Sequence, residues 1–228
     1  MKVLAIGAHP DDIEIFMYGL LCLLKKNNIE IFMIIATDGS LGGKTYNNLI
    51  QLRKDESIEA LKRIGIPKFL NLPDSRLGDE YSHKDKLRHE IDKISPDLII
   101  THYHEDYHSD HRNLSKLVKD ISSHNFPVLY CDTMMGINFS PNFYFDISEF
   151  FEEKKEAILN HQSQKPDRFI KLIELMNGYR SAQCNAKFGS FAEAYFFNSS
   201  FPFANINNIL PQTIKIRKFD IDGNYGFL

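Results

Sequence analysis

The sequence has no surplus of positive charge: 27 Lys and Arg stand against 30 Asp and Glu, for a net charge of -3. Nucleic-acid binding driven by net charge needs a basic excess that displaces counterions, so that class is excluded. Cysteine is scarce. Cys22, Cys131 and Cys184 are odd in number and far apart, with no CxxC pair. This argues against a zinc finger and for reduced, mainly buried thiols. Long apolar runs are missing too. The longest uncharged one, Ile15 to Leu24, is too short for the roughly 20 residues that cross a bilayer. Met1-Lys2 leads straight into an apolar stretch holding His9, Asp11 and Asp12 without a small-residue cleavage site. It reads as a first strand and not as a signal peptide, and the expected compartment is the cytoplasm.

What is present is an average soluble composition: 228 residues, 43% hydrophobic and 25% charged. That is enough to bury a core, which excludes disorder and small stapled scaffolds, and the length fits one domain. The first two thirds alternate strand and helix patterns. Strands are expected over 3–6, 31–36, 68–72, 97–101 and 128–131. Helices are expected over about 13–26, 48–64 (ending at Gly65), 83–94 and 110–122, with a Gly-rich loop over 37–46. The order predicts a doubly wound, Rossmann-like α/β fold with a mostly parallel sheet. A further strand is expected over 143–146 and helices over 148–161 and 168–181. The domain proper is expected over 1–198. Residues 199–228, with Pro202, Pro211 and several Asn, read as a C-terminal extension packing on the body or on a neighbouring subunit of a homo-oligomer.

Open α/β sheets bind ligands at the carboxyl ends of their strands. The first strand ends in Ala8-His9-Pro10-Asp11-Asp12, and the fourth runs into His102 to His111, where four of the nine histidines lie. Imidazole and carboxylate at two strand ends can converge on one metal ion with a coordination position left open. Either segment alone has an ordinary reading, a helix-start histidine or a solvated loop. The two together point to a metal site.

These segments resemble the LmbE/PIG-L family of metal-dependent N-acetylglucosaminyl de-N-acetylases. The family pattern A-H-P-D-D-(E) is similar to residues 8–12, and H-P-D-H to His108-Ser109-Asp110-His111. Thr37 to Gly42 resembles its T-x-G-E/S-x-G loop, and Arg53, Glu56 and Ala60 its R-x-x-E-x-x-x-A helix. Phe143 to Ser148 resembles its F-x-P…DIS stretch, residues 161–164 its H-x-S-Q and residues 191–195 its Y-A-E-A-F. The ordered set covers roughly residues 2–197.

The resemblance implies that His9, Asp12 and His111 bind Zn²⁺, with Fe²⁺ as the alternative. It implies Asp11 as general base, His108 as oxyanion stabiliser or acid, Asp110 as the group that orients a histidine, and Arg53 as a substrate contact. The chemistry agrees. Zinc lowers the pKa of a coordinated water toward about 7, within reach of a carboxylate base. A protonated histidine stabilises an oxyanion, and a guanidinium fork suits hydroxyl or carboxylate oxygens. Asp110 could instead cap the helix that follows, Arg53 could be an exposed helix residue, and His161 could be core or surface. His102 and His104 read as loop residues or as residues behind the ligands.

Two departures stand out: Ser109 in place of Pro, and Tyr18-Gly19-Leu20-Leu21 in place of G-G-T-L/I, which bears on pocket shape. The implied activity is removal of acetyl from an N-acetylated amino-sugar conjugate of GlcNAc type, a small molecule, with release of acetate. A catalytically silent sugar- or metal-binding member is the alternative. A nucleotide-dependent oxidoreductase is disfavoured, because Gly7-Ala8-His9-Pro10-Asp11-Asp12 lacks the G-x-G-x-x-G cradle.

Overall fold

The computed structural model describes residues 1–43 and 47–211. Residues 44–46 of the expected loop and 212–228 of the expected extension lie outside the described residues. Seven strands form one sheet in the order β3-β2-β1-β4-β5-β7-β6. They are β1 (Lys2–Gly7), β2 (Glu30–Thr37), β3 (Lys68–Leu72), β4 (Leu98–Thr101), β5 (Val128–Cys131), β6 (Phe143–Asp146) and β7 (Ala192–Phe197). The first five are parallel; β7 runs antiparallel to both β5 and β6.

The helices are α1 (Asp12–Phe16), α2 (Tyr18–Lys26), α3 (Leu49–Leu61), α4 (Tyr81–Ile94), α5 (Ser109–Ser122), α6 (Phe151–Leu159) and α7 (Asp167–Gln183). They cover both faces of the sheet, which is why β1 and β4 are continuous apolar runs. In β1 the alternation of side chains splits them between two cores: Val3 and Ala5 join α1, α2, α6 and α7, whereas Leu4 and Ile6 join α4 and α5. The strand order reverses between β1 and β4, the point where such sheets open a crevice.

Three differences from the sequence expectation matter for the site. The helix expected over 13–26 breaks at Met17 (φ -132°, ψ -11°), because the Glu193 carboxylate accepts from Gly19 N and Leu20 N at 2.9 Å each and starts α2 afresh. Gly19 allows that approach: a Cβ there would stand 2.4 Å from Ile147 Cγ2. Residues 192–197 form a strand that was not among those expected from the sequence. In the fold Glu193 is buried and also accepts from Lys154 Nζ (2.7 Å) and Tyr195 Oη (2.8 Å). The helix expected over 148–161 begins as a 3₁₀ turn (Ser148–Phe150) before α6. In the described part of the C-terminal segment, Ile206 is buried in the core of α1, α2, α6 and α7.

Candidate active site

The β1–α1 junction carries the first half of the site. Asp11, at the N-cap position of α1, sits at φ 130°, ψ -22°, a region that residues with a Cβ avoid, and its side chain makes no capping hydrogen bond. That turn separates neighbouring carboxylates. Asp12 folds back to accept from His9 N (2.7 Å), while Asp11 meets Arg53 Nη2 at 3.2 Å. Arg53 reaches the junction from α3. Its Nη2 also donates to Pro10 O (2.7 Å) and its Nη1 to Gly39 O (2.9 Å). Gly39, at φ 64°, is the backbone against which the guanidinium packs.

The β4–α5 segment brings the second half. His111 Nε2 lies 3.2 Å from Asp12 Oδ1 and its Nδ1 3.2 Å from Asp106 Oδ2. His102 stacks on His111 with ring centroids 3.7 Å apart and places Nε2 3.1 Å from Asp12 Oδ2. His108 is the N-cap of α5: its Nδ1 accepts from Asp110 N at 3.2 Å. A backbone N–H can only donate, so the proton of a neutral His108 sits on Nε2. Burial, then His9 and His111, hold His108 below the usual histidine value. In this geometry a neutral His108 has Nε2–H free to donate into the cleft.

Asp110 does not take the capping role. Its carboxylate accepts from Ser75 N (2.7 Å) and Leu77 N (3.1 Å) and lies 3.1 Å from His9 Nε2. It links the β3–α4 loop to the ring of His9. Asp74, from the end of β3, stands 3.5 Å from the same nitrogen and accepts from Leu41 N. Sequence reasoning missed Asp74, although it follows a strand end at the same sheet edge; Asp106 was passed over inside the histidine cluster.

His9, Asp11, Asp12, His108, His111 and Arg53 all line one cleft of about 190 Å³, with Asp74 and Gln164 on its wall. Asp110 stands behind His9. His104 takes no part; burial lowers it, and its ring packs on Tyr103. Below the cleft, His161 Nε2 is 2.8 Å from Glu14 Oε1, both fully buried. Ser163 N and Oγ donate to the Glu56 carboxylate at 2.8 and 2.6 Å. The 161–164 turn thus hangs on two carboxylates and carries Gln164 to the cleft.

The donors suit a divalent cation. Ring nitrogens of His9, His108 and His111 lie within 4.8 Å of one another, and so do donor atoms of Asp12, His102 and His111. Three carboxylates crowd His9 within 3.5 Å, and Asp106 backs His111 from its Nδ1 side at 3.2 Å. Such a set of imidazoles and carboxylates fits Zn²⁺ or Fe²⁺. The same crowding dominates the electrostatics. Burial pulls His9 and His111 down, but the carboxylates around them outweigh it, raising His9 well above its usual value and His111 to about 9. Burial pushes Asp12 up, yet His111 and His102 bring it well below the carboxylate range. Burial lifts Asp11 against the pull of Arg53.

Comparison with known proteins gives the family and the fold. The family model for GlcNAc-PI de-N-acetylase (PIG-L) matches residues 4–122. The diacetylchitobiose deacetylase of Thermococcus kodakarensis is 26% identical over 235 residues, covering 90% of this chain and 88% of that protein. A probable N-acetyl-alpha-D-glucosaminyl L-malate deacetylase 2 of Bacillus subtilis is 36% identical over 122 residues, 48% of this chain and 55% of its own. Among solved structures, N,N'-diacetylchitobiose deacetylase from Pyrococcus horikoshii superposes with a TM-score of 0.73 at 24% identity, covering 86% of this chain and 83% of the other. The 4-carboxy-2-hydroxymuconate hydratase GalB from Pseudomonas putida superposes at 0.76 with 16% identity, covering 90% and 98%. Those two likenesses show the fold, and because one fold hosts both chemistries the activity must be argued from the site. Among the described residues no helix is long and apolar enough to cross a membrane. With the family model spanning more than half of the chain and the strand-end motifs gathered in one cleft, the chain belongs to the GlcNAc-PI de-N-acetylase (PIG-L, LmbE-like) family.

Proposed function

We propose that this protein hydrolyses the acetamide of an N-acetylated amino sugar, a small GlcNAc-type conjugate, to acetate and the free amine. The observation that carries the reading is the meeting of Asp11, Asp12 and His9 from the end of β1 with His108 and His111 from the β4–α5 segment in one cleft. His9, Asp12 and His111 are the residues that would hold the metal, Zn²⁺ first and Fe²⁺ second. When bound, the ion supplies Lewis acidity to the amide carbonyl and acidifies water.

The chain's own groups divide the remaining work. Asp11 takes a proton from the attacking water as the new C–O bond forms, and returns it to the nitrogen as the C–N bond breaks. Its buried carboxylate is held by Arg53, which on this reading positions the base and does not grip substrate directly. His108 donates its Nε2–H to the carbonyl oxygen as charge develops there. Asp110 keeps His9 in register by holding both its ring and the β3–α4 loop. The names of the relatives support the substrate class, since they act on diacetylchitobiose and, with lower coverage, on a glucosaminyl malate.

The test is acetate release from a panel of N-acetylglucosamine conjugates, measured after chelation and again after Zn²⁺ or Fe²⁺ is restored. Loss on chelation and recovery with either ion is expected. No acetate from any conjugate with metal restored would leave the silent sugar- or metal-binding reading in its place.

A further inference from the structure

The catalytic cleft, at about 190 Å³, is smaller than the roughly 300–1,000 Å³ usual for pockets that enclose a whole ligand. A second cleft of about 530 Å³ adjoins it, and the two share Tyr107 and Met134 as their common wall. The far side of the second cleft is the turn after β5, where Met135 and Ile137 are 51% and 63% exposed. Large apolar side chains so exposed are the feature to explain, because the turn that presents them is rigidly built.

Asp132, at its base, is clamped by Arg180 through Nε (2.5 Å) and Nη2 (2.9 Å). Thr133 Oγ1 donates to Ile137 O at 2.6 Å. A Cβ on Gly136 would stand 2.5 Å from Arg180 Nη2, so the guanidinium packs directly on the turn's backbone. Met135 itself is at φ 57°, ψ 18°, an unfavourable conformation for a residue with a side chain, and it is half exposed.

Charge narrows the occupant. Arg112 is the one cation lining this cleft among the described residues, and its Nη1 donates to the carbonyls of Asp106 and Tyr107 at 2.7 Å each. Glu105 and Asp106 leave the wall with no positive surplus. The catalytic cleft, by contrast, is lined by Arg168, which lies over the Phe169 ring, and an anionic group would find its counter-charge there instead.

We infer that the Met135–Ile137 cleft is the subsite for the group joined to the amino sugar, and that it selects an uncharged apolar or aromatic aglycone. This rests on the deacetylase reading for the reaction at the neighbouring cleft, but not for the binding itself.

The experiment uses the full chain with divalent metal restored. Acetate release is compared for methyl and phenyl glycosides of N-acetylglucosamine in both anomers, for the malate-linked sugar and for the 1-phosphate. We expect kcat/KM for a phenyl glycoside about tenfold above the methyl one, the scale of burying part of a ring. The double variant Met135→Asn/Ile137→Asn should erase that gain and leave the methyl glycoside within about twofold of wild type; Asn tolerates the left-handed backbone at 135. Calorimetric binding of phenyl and methyl glucosaminide, the amine products, reads the subsite without turnover and should show the same gain and the same loss. Equal binding of the two, a gain that survives the double variant, or preference for the malate or phosphate conjugate would overturn the inference. Absence of acetate from every sugar, with the binding gain present and lost in the variant, would sustain the subsite and refute the reaction.

Discussion

Arg53 Nη2 lies 3.2 Å from Asp11 Oδ2, and both side chains are buried. The pair separates two roles for Arg53 that sequence alone leaves together. If the guanidinium holds the base, Arg53→Lys should lower kcat roughly 10- to 100-fold, the scale of a small misplacement of a catalytic group, with KM changed by less than about threefold. A rise in KM at steady kcat would make Arg53 a substrate contact after all.

Asp11→Asn keeps shape and loses basicity. Metal content should stay near wild type while turnover falls by roughly 10²–10⁴-fold, the usual contribution of a general base. Atomic absorption beside acetate release checks both. Metal loss in this variant would mean that Asp11 and Asp12 have exchanged roles.

His111 and His108 sit three residues apart and should fail differently. His111→Ala should strip most of the metal from the purified protein. His108→Ala should keep the metal and cut kcat and kcat/KM together, by about 10²–10³-fold for a lost oxyanion donor. If His108 works as a neutral Nε2–H donor, as proposed, His108→Gln should restore part of that loss. A Gln variant no better than Ala would favour proton transfer by the imidazole over hydrogen bonding.

The buried His161–Glu14 pair makes stability depend on pH. Burial lowers His161, but the charge and hydrogen bond of Glu14 outweigh it and leave it raised. A raised histidine contributes its stabilisation in full below the unfolded value of about 6.5 and loses it as pH climbs through the folded value. His161→Gln leaves Glu14 buried without a cationic partner and should cost roughly 3–5 kcal/mol, a fall in Tm on the order of 10 °C. Melting curves from pH 5 to 9 should show the gap between wild type and variant widest at acid pH and narrowing above neutrality. A gap independent of pH would mean that His161 is neutral throughout.

The sequence by itself determined the first five strands, most of the helical segments between them and the two strand-end motifs of the cleft. Those features are local. Apolar runs such as Val3–Ile6 mark buried parallel strands, and chemistry placed at strand ends must gather where the sheet order reverses, between β1 and β4. His9, Asp11, Asp12, His108 and His111 are legible on those grounds together with the family resemblance. Tertiary structure alone decided what depends on partners far apart in the chain. Glu193 becomes a core residue on an interior strand only because Lys154, Tyr195 and the amides of Gly19 and Leu20 surround it. The same contact breaks the first helix at Met17. Asp110 serves His9 and leaves the cap to His108 only because the β3–α4 loop arrives with Ser75 and Leu77. Asp74 joins the site for the same reason. A buried carboxylate is tolerated where donors converge on it, and no local pattern of residues records donors that arrive from more than thirty positions away.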